Sequence, residues 1–139
     1  MSTPLEVARE GIEAFNAGDR DRFRATMADG FVQREHATGR TTEGVDAAVE
    51  NAFGWKAAFP DASGEITGSF ADGEHVTLQI VWTGTHKGDL HGPDGMTIPA
   101  TGQAVTIPAC IVQRVRDGKG VDSDHYFNLL TMLTQLGVA

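Results

Sequence analysis

An α+β fold, with helices laid against one face of a curved antiparallel sheet, is what this chain predicts. Two observations carry the prediction. Apolar residues recur every three or four positions between Leu5 and Phe59, and every second position from Glu65 onward. Helices therefore come first and hairpin-linked strands follow, which sorts the two kinds of element into separate layers. The 139 residues show no repeat and no linker, so residues 1–139 read as one domain. That length buries a core without disulfide staples.

Each element has its own signal. Thr3-Pro4-Leu5-Glu6 joins a capping threonine, a proline at the first helical position and a glutamate three residues after the cap. Leu5, Ala8, Ile12 and Phe15 then form an amphipathic stripe that Gly18 ends. Asp19 caps a short second helix holding Phe23 and Met27, closed by Asp29-Gly30. Phe31 to His36 reads as a strand and Thr38 to Thr41 as a loop. Glu43 to Phe59 is a third helix with Val45, Ala48, Ala52, Trp55 and Phe59 on one stripe, stopped at Pro60-Asp61. Glu65 to Ala71 and His75 to His86 make a hairpin around Asp72-Gly73. Lys87 to Gly102, with four glycines and two prolines, is a loop or lid. Val105 to Arg116 is the next strand, and Asp117-Gly118-Lys119-Gly120 turns into a last one, Val121 to Phe127. Asn128 caps a final helix with Leu129, Leu133 and Leu136, closed by Gly137.

Composition removes several functions. A net charge of −8 without a basic cluster disfavours nucleic acid, a polyanion. No apolar run is long enough to span a bilayer, and the N-terminus lacks a signal-peptide pattern. The single cysteine, Cys110, forms no internal disulfide and fits a reducing compartment, so a cytoplasmic location is expected. The five histidines form no HxH or HxxxH pair, which disfavours a metal site. There is no phosphate-cradling glycine motif and no Gly-x-Ser-x-Gly elbow.

The last strand carries the chemistry. It holds Asp122, Asp124 and His125 beside an apolar neighbour strand. Charges in a buried strand are costly unless paired or used. A two-residue loop at Gly118-Lys119 would pair Gln113 with Asp124 and set Asp122, Asp124 and Tyr126 on the inner face with Ile111 and Val115. A three-residue loop would put both aspartates on the other face.

The pattern resembles the SnoaL-like polyketide cyclase family. The resemblance rests on Phe59-Pro60-Asp61, Trp82-Thr83-Gly84-Thr85-His86-Lys87-Gly88, Pro99-Ala100-Thr101-Gly102-Gln103, Asp117-Gly118-Lys119 with the acidic strand after it, and Gln135-Leu136-Gly137. It implies a nuclear-transport-factor-2-like cone: a curved sheet with helices closing over a pocket. It further implies a homodimer and intramolecular aldol chemistry with neither metal nor organic cofactor, using one pocket aspartate as acid and base. Asp124 matches that role, with Asp122 in reserve; Asp122 and Asp124 stand where the family usually has Glu-x-Trp.

On this reading Asp124 takes a proton α to a carbonyl, its pKa raised by apolar walls. His86, ending the apolar face of its strand, would sit at the pocket mouth as a hydrogen-bond donor or proton carrier. Gln113 would help hold the enolate. Trp55, Phe59, Trp82, Tyr126 and Phe15 would line a hydrophobic cavity for the ligand. His125 alternates away from Asp124 and is expected to pack or sit at an interface. The only tyrosine is Tyr126, and helix one carries Phe15, which argues against an isomerase of the ketosteroid design. Epoxide hydrolases of the limonene type use an Asp-Arg-Asp arrangement; in the two-residue-loop pairing Arg114 falls on the opposite sheet face from Asp124, which ranks that reading below the cyclase. The other reading is a non-catalytic module of the same fold that binds an apolar ligand or dimerises.

Overall fold

The computed structural model describes residues 2–92 and 95–139; Pro93 and Asp94, within the expected lid, lie outside them. Helix α1 spans Pro4–Ala17 with both halves of its capping box formed: Glu6 N–H donates to Thr3 Oγ1 and Thr3 N–H to Glu6 Oε1. Two orphan N–H groups of the first turn are thereby satisfied, and Gly18 closes the helix in the left-handed region. Helix α2, Arg20–Ala25, ends earlier than its apolar spacing suggests, because Met27 already opens strand β1, Met27–Glu35. The expected loop at Thr38 to Thr41 instead leads into a four-residue edge strand, β2, Arg40–Glu43. Helix α3 runs Val45–Ala58. Strands β3, Ser63–Asp72, and β4, His75–Thr85, form the expected hairpin. A small hairpin, β5 (Leu90–His91) with β6 (Thr97–Ile98), lies within the loop that follows. Strands β7, Ala104–Arg116, and β8, Lys119–Phe127, precede helix α4, Leu129–Leu136.

The main sheet has the order β2-β1-β8-β7-β4-β3. It is mixed rather than antiparallel throughout, because β1 lies parallel to β8. That pairing joins the two ends of the fold, so local periodicity carries no trace of it. Helices α1, α3 and α4 pack on one face. Val76, Leu78 and Ile80 of β4 meet Ala8 and Ile12 of α1. Val105 and Ile107 of β7 meet Met132 and Leu136 of α4, together with Ala58 of α3 and Phe59 at its C-cap. Met27 and Phe31 of β1 meet Ala48, Val49 and Phe53 of α3. Each of the larger side chains among them (Val, Leu, Ile, Phe, Met) contributes roughly 1.5–3 kcal/mol on burial, and the three clusters surround an unfilled centre.

The decisive detail is the β7–β8 hairpin. Its loop is Asp117-Gly118, both with positive φ (52° and 75°), the geometry of a tight two-residue turn. Arg116 pairs with Lys119 and Val115 with Gly120, but the next pair is Arg114 with Asp122. Val121 is an extra residue, a β-bulge. Because side chains alternate, one inserted residue exchanges the two faces of everything beyond it. Gln113 consequently faces Ser123, not Asp124.

Among the described residues no helix is long and apolar enough to cross a membrane.

Candidate active site

The helices and the concave face of the sheet enclose a cavity of about 170 Å³. Its walls are mainly apolar, built from α1 (Ile12, Phe15), α3 (Trp55), the end of α3 (Phe59), β4 (Leu78, Trp82) and β7 (Ile107, Ile111). Four polar side chains gather on the β1, β8 and β7 floor, Gln33, Ser123, Gln113 and His125, while Thr26 and Thr83 add hydroxyls elsewhere on the wall. Among the described lining residues, His125 is the sole titratable one.

His125 is placed by the bulge. The face exchange turns Ser123, His125 and Phe127 inward and Asp122, Asp124 and Tyr126 outward. The Trp82 indole N–H donates to His125 Nε2 at 3.1 Å. An indole nitrogen only donates, so Nε2 carries no proton there and the ring hydrogen sits on Nδ1. Nδ1 stands 3.9 Å from Glu35 Oε2, beyond hydrogen-bond reach, and the contact becomes an ion pair only when the ring gains a second proton. Trp82 also meets Phe15 edge-on at 5.4 Å, which fixes the indole plane.

Glu35, at the end of β1, is 2% exposed. Trp55 Nε1–H donates to its Oε2 at 2.9 Å, and the Thr38 hydroxyl donates to its Oε1 at 2.8 Å. Burial pushes the Glu35 pKa upward, but the His125 ring, the Thr38 hydroxyl and the Trp55 indole together outweigh it and leave it below the ordinary value. The carboxyl is therefore an anion held behind the histidine. A buried anion without such partners would cost several kcal/mol.

Several expected placements are corrected. Asp124 does not enter the apolar hollow. It lies on the outer sheet face, bound by Arg34 Nε (2.7 Å) and Nη2 (2.9 Å) and by His36 Nε2 (2.8 Å). The Arg34 guanidinium, helped by His36 and against partial burial, lowers its pKa to about 2. Such a group stays ionised at neutral pH and has little basicity. Asp122 shares that face and accepts from Arg114 Nη2 at 3.0 Å. Tyr126 is outside too, 44% exposed and stacked on His36 at 4.4 Å. The physical reason is the same for all three: the Val121 bulge.

His86 is not at a pocket mouth. It is fully buried, stacked on Phe59 at 5.2 Å, and Thr101 N–H donates to its Nδ1 at 3.2 Å. It lies outside the cavity lining, whereas Gln113, Trp55, Phe59, Trp82 and Phe15 all belong to it.

Glu35 and His125 escaped the sequence reading as site residues. A signal existed for each. In the last strand Val121, Ser123, His125 and Phe127 are the less polar phase, so alternation alone favoured them as the inner face. Glu35 shares the phase of Phe31 and Gln33, and a carboxylate there asks for partners as much as Asp124 does.

Comparison with known proteins agrees with this architecture. IdmH of Streptomyces antibioticus, a proposed polyketide cyclase, is 27% identical, with a TM-score of 0.81 over 99% of this chain and 100% of its own. AclR of Streptomyces galilaeus, a proposed hydroxylase, is 25% identical, with a TM-score of 0.81 over 98% and 96%. A protein of Catenulispora acidiphila with a ketosteroid isomerase-like fold, solved with trimethylamine, superposes at a TM-score of 0.82 over 99% and 96%; at 21% identity it speaks to the fold alone. No curated protein matches the chain. The SnoaL-like polyketide cyclase description matches residues 6–136, nearly the whole length, and the chain belongs to that family.

Proposed function

We propose that this protein is a cofactor-independent enzyme that performs acid/base chemistry, of the polyketide-cyclase aldol type, on a hydrophobic carbonyl compound. The observation that carries the reading is the Glu35–His125–Trp82 array in an otherwise apolar hollow. Asp124, ion-paired outside, is replaced in the acid/base role by His125.

The steps follow from the hydrogen bonds. A substrate carbonyl oxygen takes the Trp82 indole N–H, which frees the Nε2 lone pair of His125. Nε2 removes the α-proton; the C–H electron pair becomes the enolate, whose oxygen the indole N–H stabilises. The Glu35 anion behind Nδ1–H favours the imidazolium that forms, as a buried carboxylate does beside a catalytic histidine. The enolate carbon attacks a second carbonyl of the same molecule, a C–C bond closes, and the resulting alkoxide recovers the proton from Nε2. No oxidant or leaving group is required. The apolar walls exclude water and hold the chain in a reactive shape.

The test is exchange of α-protons of tetralone, a compact hydrophobic ketone, into deuterated water, followed by NMR. His125→Gln is expected to slow exchange by about 10²–10⁴-fold, the usual size of a general-base contribution. Glu35→Gln should lower it as well, while Asp124→Asn leaves it unchanged. Undiminished exchange by His125→Gln sinks the mechanism. Tetralone binding without exchange in the wild type would identify a ligand-binding module instead. The homodimer that the resemblance implies is also part of this proposal: light scattering should give about twice the 14.8 kDa chain mass.

A further inference from the structure

We propose that Gln33, Ser123 and Gln113 form a second binding pole of the cavity, which grips a neutral oxygen of the ligand remote from the reacting carbonyl. The inference rests on reading the cavity as the site for a hydrophobic carbonyl compound, and adds what else that compound must carry.

The three residues form one row across three adjacent strands. Gln33 of β1 neighbours Ser123 of β8, and Ser123 pairs with Gln113 of β7. All three line the cavity. With strands ~4.8 Å apart, the row spans roughly 10 Å of the floor. Among the described residues the three side chains have no hydrogen-bond partner, and none of their polar atoms is sealed from solvent; Ser123 is buried and the two glutamines are half-buried. A wall serving packing alone would be aliphatic here, as Ile107 and Ile111 are in the same floor. Two carboxamides and a hydroxyl turned into an apolar space carry a desolvation cost that only a ligand or water can return.

Gly120 supplies an independent observation. A Cβ at this position would run into Gln113 Nε2, and would also touch Phe31 and the Thr26 carbonyl at 3.4 Å. Gly120 is absent from the residues with positive φ, so its bare backbone serves space rather than conformation. The space it leaves is occupied by the Gln113 amide.

The chemistry of the ligand follows. No lysine or arginine is among the described lining residues, so the pole suits a hydroxyl or carbonyl, not a carboxylate or phosphate. Ser123 and His125 are two residues apart on one strand, which separates the pole from the acid/base centre by about 7 Å. The favoured ligand is hydrophobic and carries two neutral oxygens about that far apart.

The test compares tetralone with a hydroxytetralone whose phenol lies para to the ring carbon bearing the carbonyl. Calorimetry gives the affinity gained from the added hydroxyl, for the wild type and for Gln33→Leu/Gln113→Leu. The wild type should gain about tenfold, the equivalent of one or two hydrogen bonds, and the double variant twofold or less. Ser123→Ala and Gly120→Ala, milder changes that keep both amides, should each lose part of the gain; they decide the matter if the double variant does not fold. A gain that survives in all variants overturns the proposal, as does equal affinity of the two ketones for the wild type. His125→Gln should slow exchange by about 10²–10⁴-fold but keep the hydroxyl gain. Exchange lost without loss of the gain therefore speaks to catalysis, and a gain lost in the pole variants, read as the ratio of the two ketone affinities within each variant, speaks to the pole.

Discussion

Asp124 and His125 are adjacent in sequence and opposite in fate, and the contrast is set by partners rather than residue type. Asp124 meets a guanidinium in two-point contact on a face open to water; His125 meets an indole and a buried carboxylate. The ion pair makes a prediction with a definite sign. The Asp124 pKa falls from 3.8 unfolded to about 2 folded, so the unfolded chain binds the proton more readily. The stabilisation is fully present above about pH 4 and vanishes as pH falls through about 2. Its size is on the order of 1–2 kcal/mol, since Arg34 is 38% exposed and water screens the pair. Asp124→Asn should lower the urea midpoint by that energy at pH 7, and the gap to wild type should close between pH 4 and pH 2. A constant gap across that range would show that the pair adds nothing. At this scale the sequence did announce that the last strand was chemically unusual. The lower polarity of Ser123, His125 and Phe127 favoured that phase as the inner one, but the bulge that sets it stayed hidden, because it is a backbone event with no residue type of its own.

At the scale of elements, helix boundaries were legible where a side chain makes the signal itself: the Thr3–Glu6 capping box, Asp19 before α2, Asn128 before α4. Boundaries set by pairing were not. Met27 belongs to β1 because it lies beside Gly120 of β8, a partner far along the chain. The same logic locates a sensitive glycine. An added Cβ at Gly64, in β3, would stand 2.7 Å from Trp82 Cζ3 and 2.9 Å from Cε3 on the neighbouring strand. Neither atom belongs to a flexible tip, so Gly64→Ala must push the indole ring. The overpacking should cost about 1–3 kcal/mol. The larger effect is expected at the site, because the 3.1 Å bond from Trp82 to His125 orients the imidazole. A shift of about 1 Å at such a group is enough for a drop of tenfold or more in tetralone exchange, with the affinity for tetralone less affected. Exchange at the wild-type rate would mean that the indole does not position the base.

For the molecule as a whole, the fold class was legible because helical periods dominate the first half of the chain and strand periods most of the second, while the parallel β1–β8 contact that closes the cone is a property of the assembled sheet. The segment from Lys87 to Gly102 shows how the assembled whole gives a residue a task that its strand pattern hides. His86 N–H donates to the Gln103 carbonyl at 2.9 Å, Gly102 N–H donates to the His86 carbonyl at 2.8 Å, and Thr101 N–H donates to the ring Nδ1 at 3.2 Å. These bonds clasp the two ends of the loop. The ring Nε2 is buried with no hydrogen-bond partner among the described residues. Nδ1, as the acceptor, carries no proton, so Nε2–H is an unmatched donor in an apolar setting beside Phe59. His86→Phe should therefore split local from global stability. It removes the unmatched donor and keeps an aromatic ring against Phe59, so the global unfolding energy should change by less than about 1 kcal/mol. It also strips the Thr101 N–H of its acceptor, so amide exchange at Thr101 and Gly102 should quicken by about tenfold as the clasp opens locally. His86→Asn, whose side-chain carbonyl can accept from Thr101, should show the reverse: slow exchange in the loop, but a fold weakened by about 2–4 kcal/mol from the space the ring leaves. Hydrogen exchange read against urea unfolding separates the two, and parallel changes in both measurements for both variants would mean that His86 is packing alone.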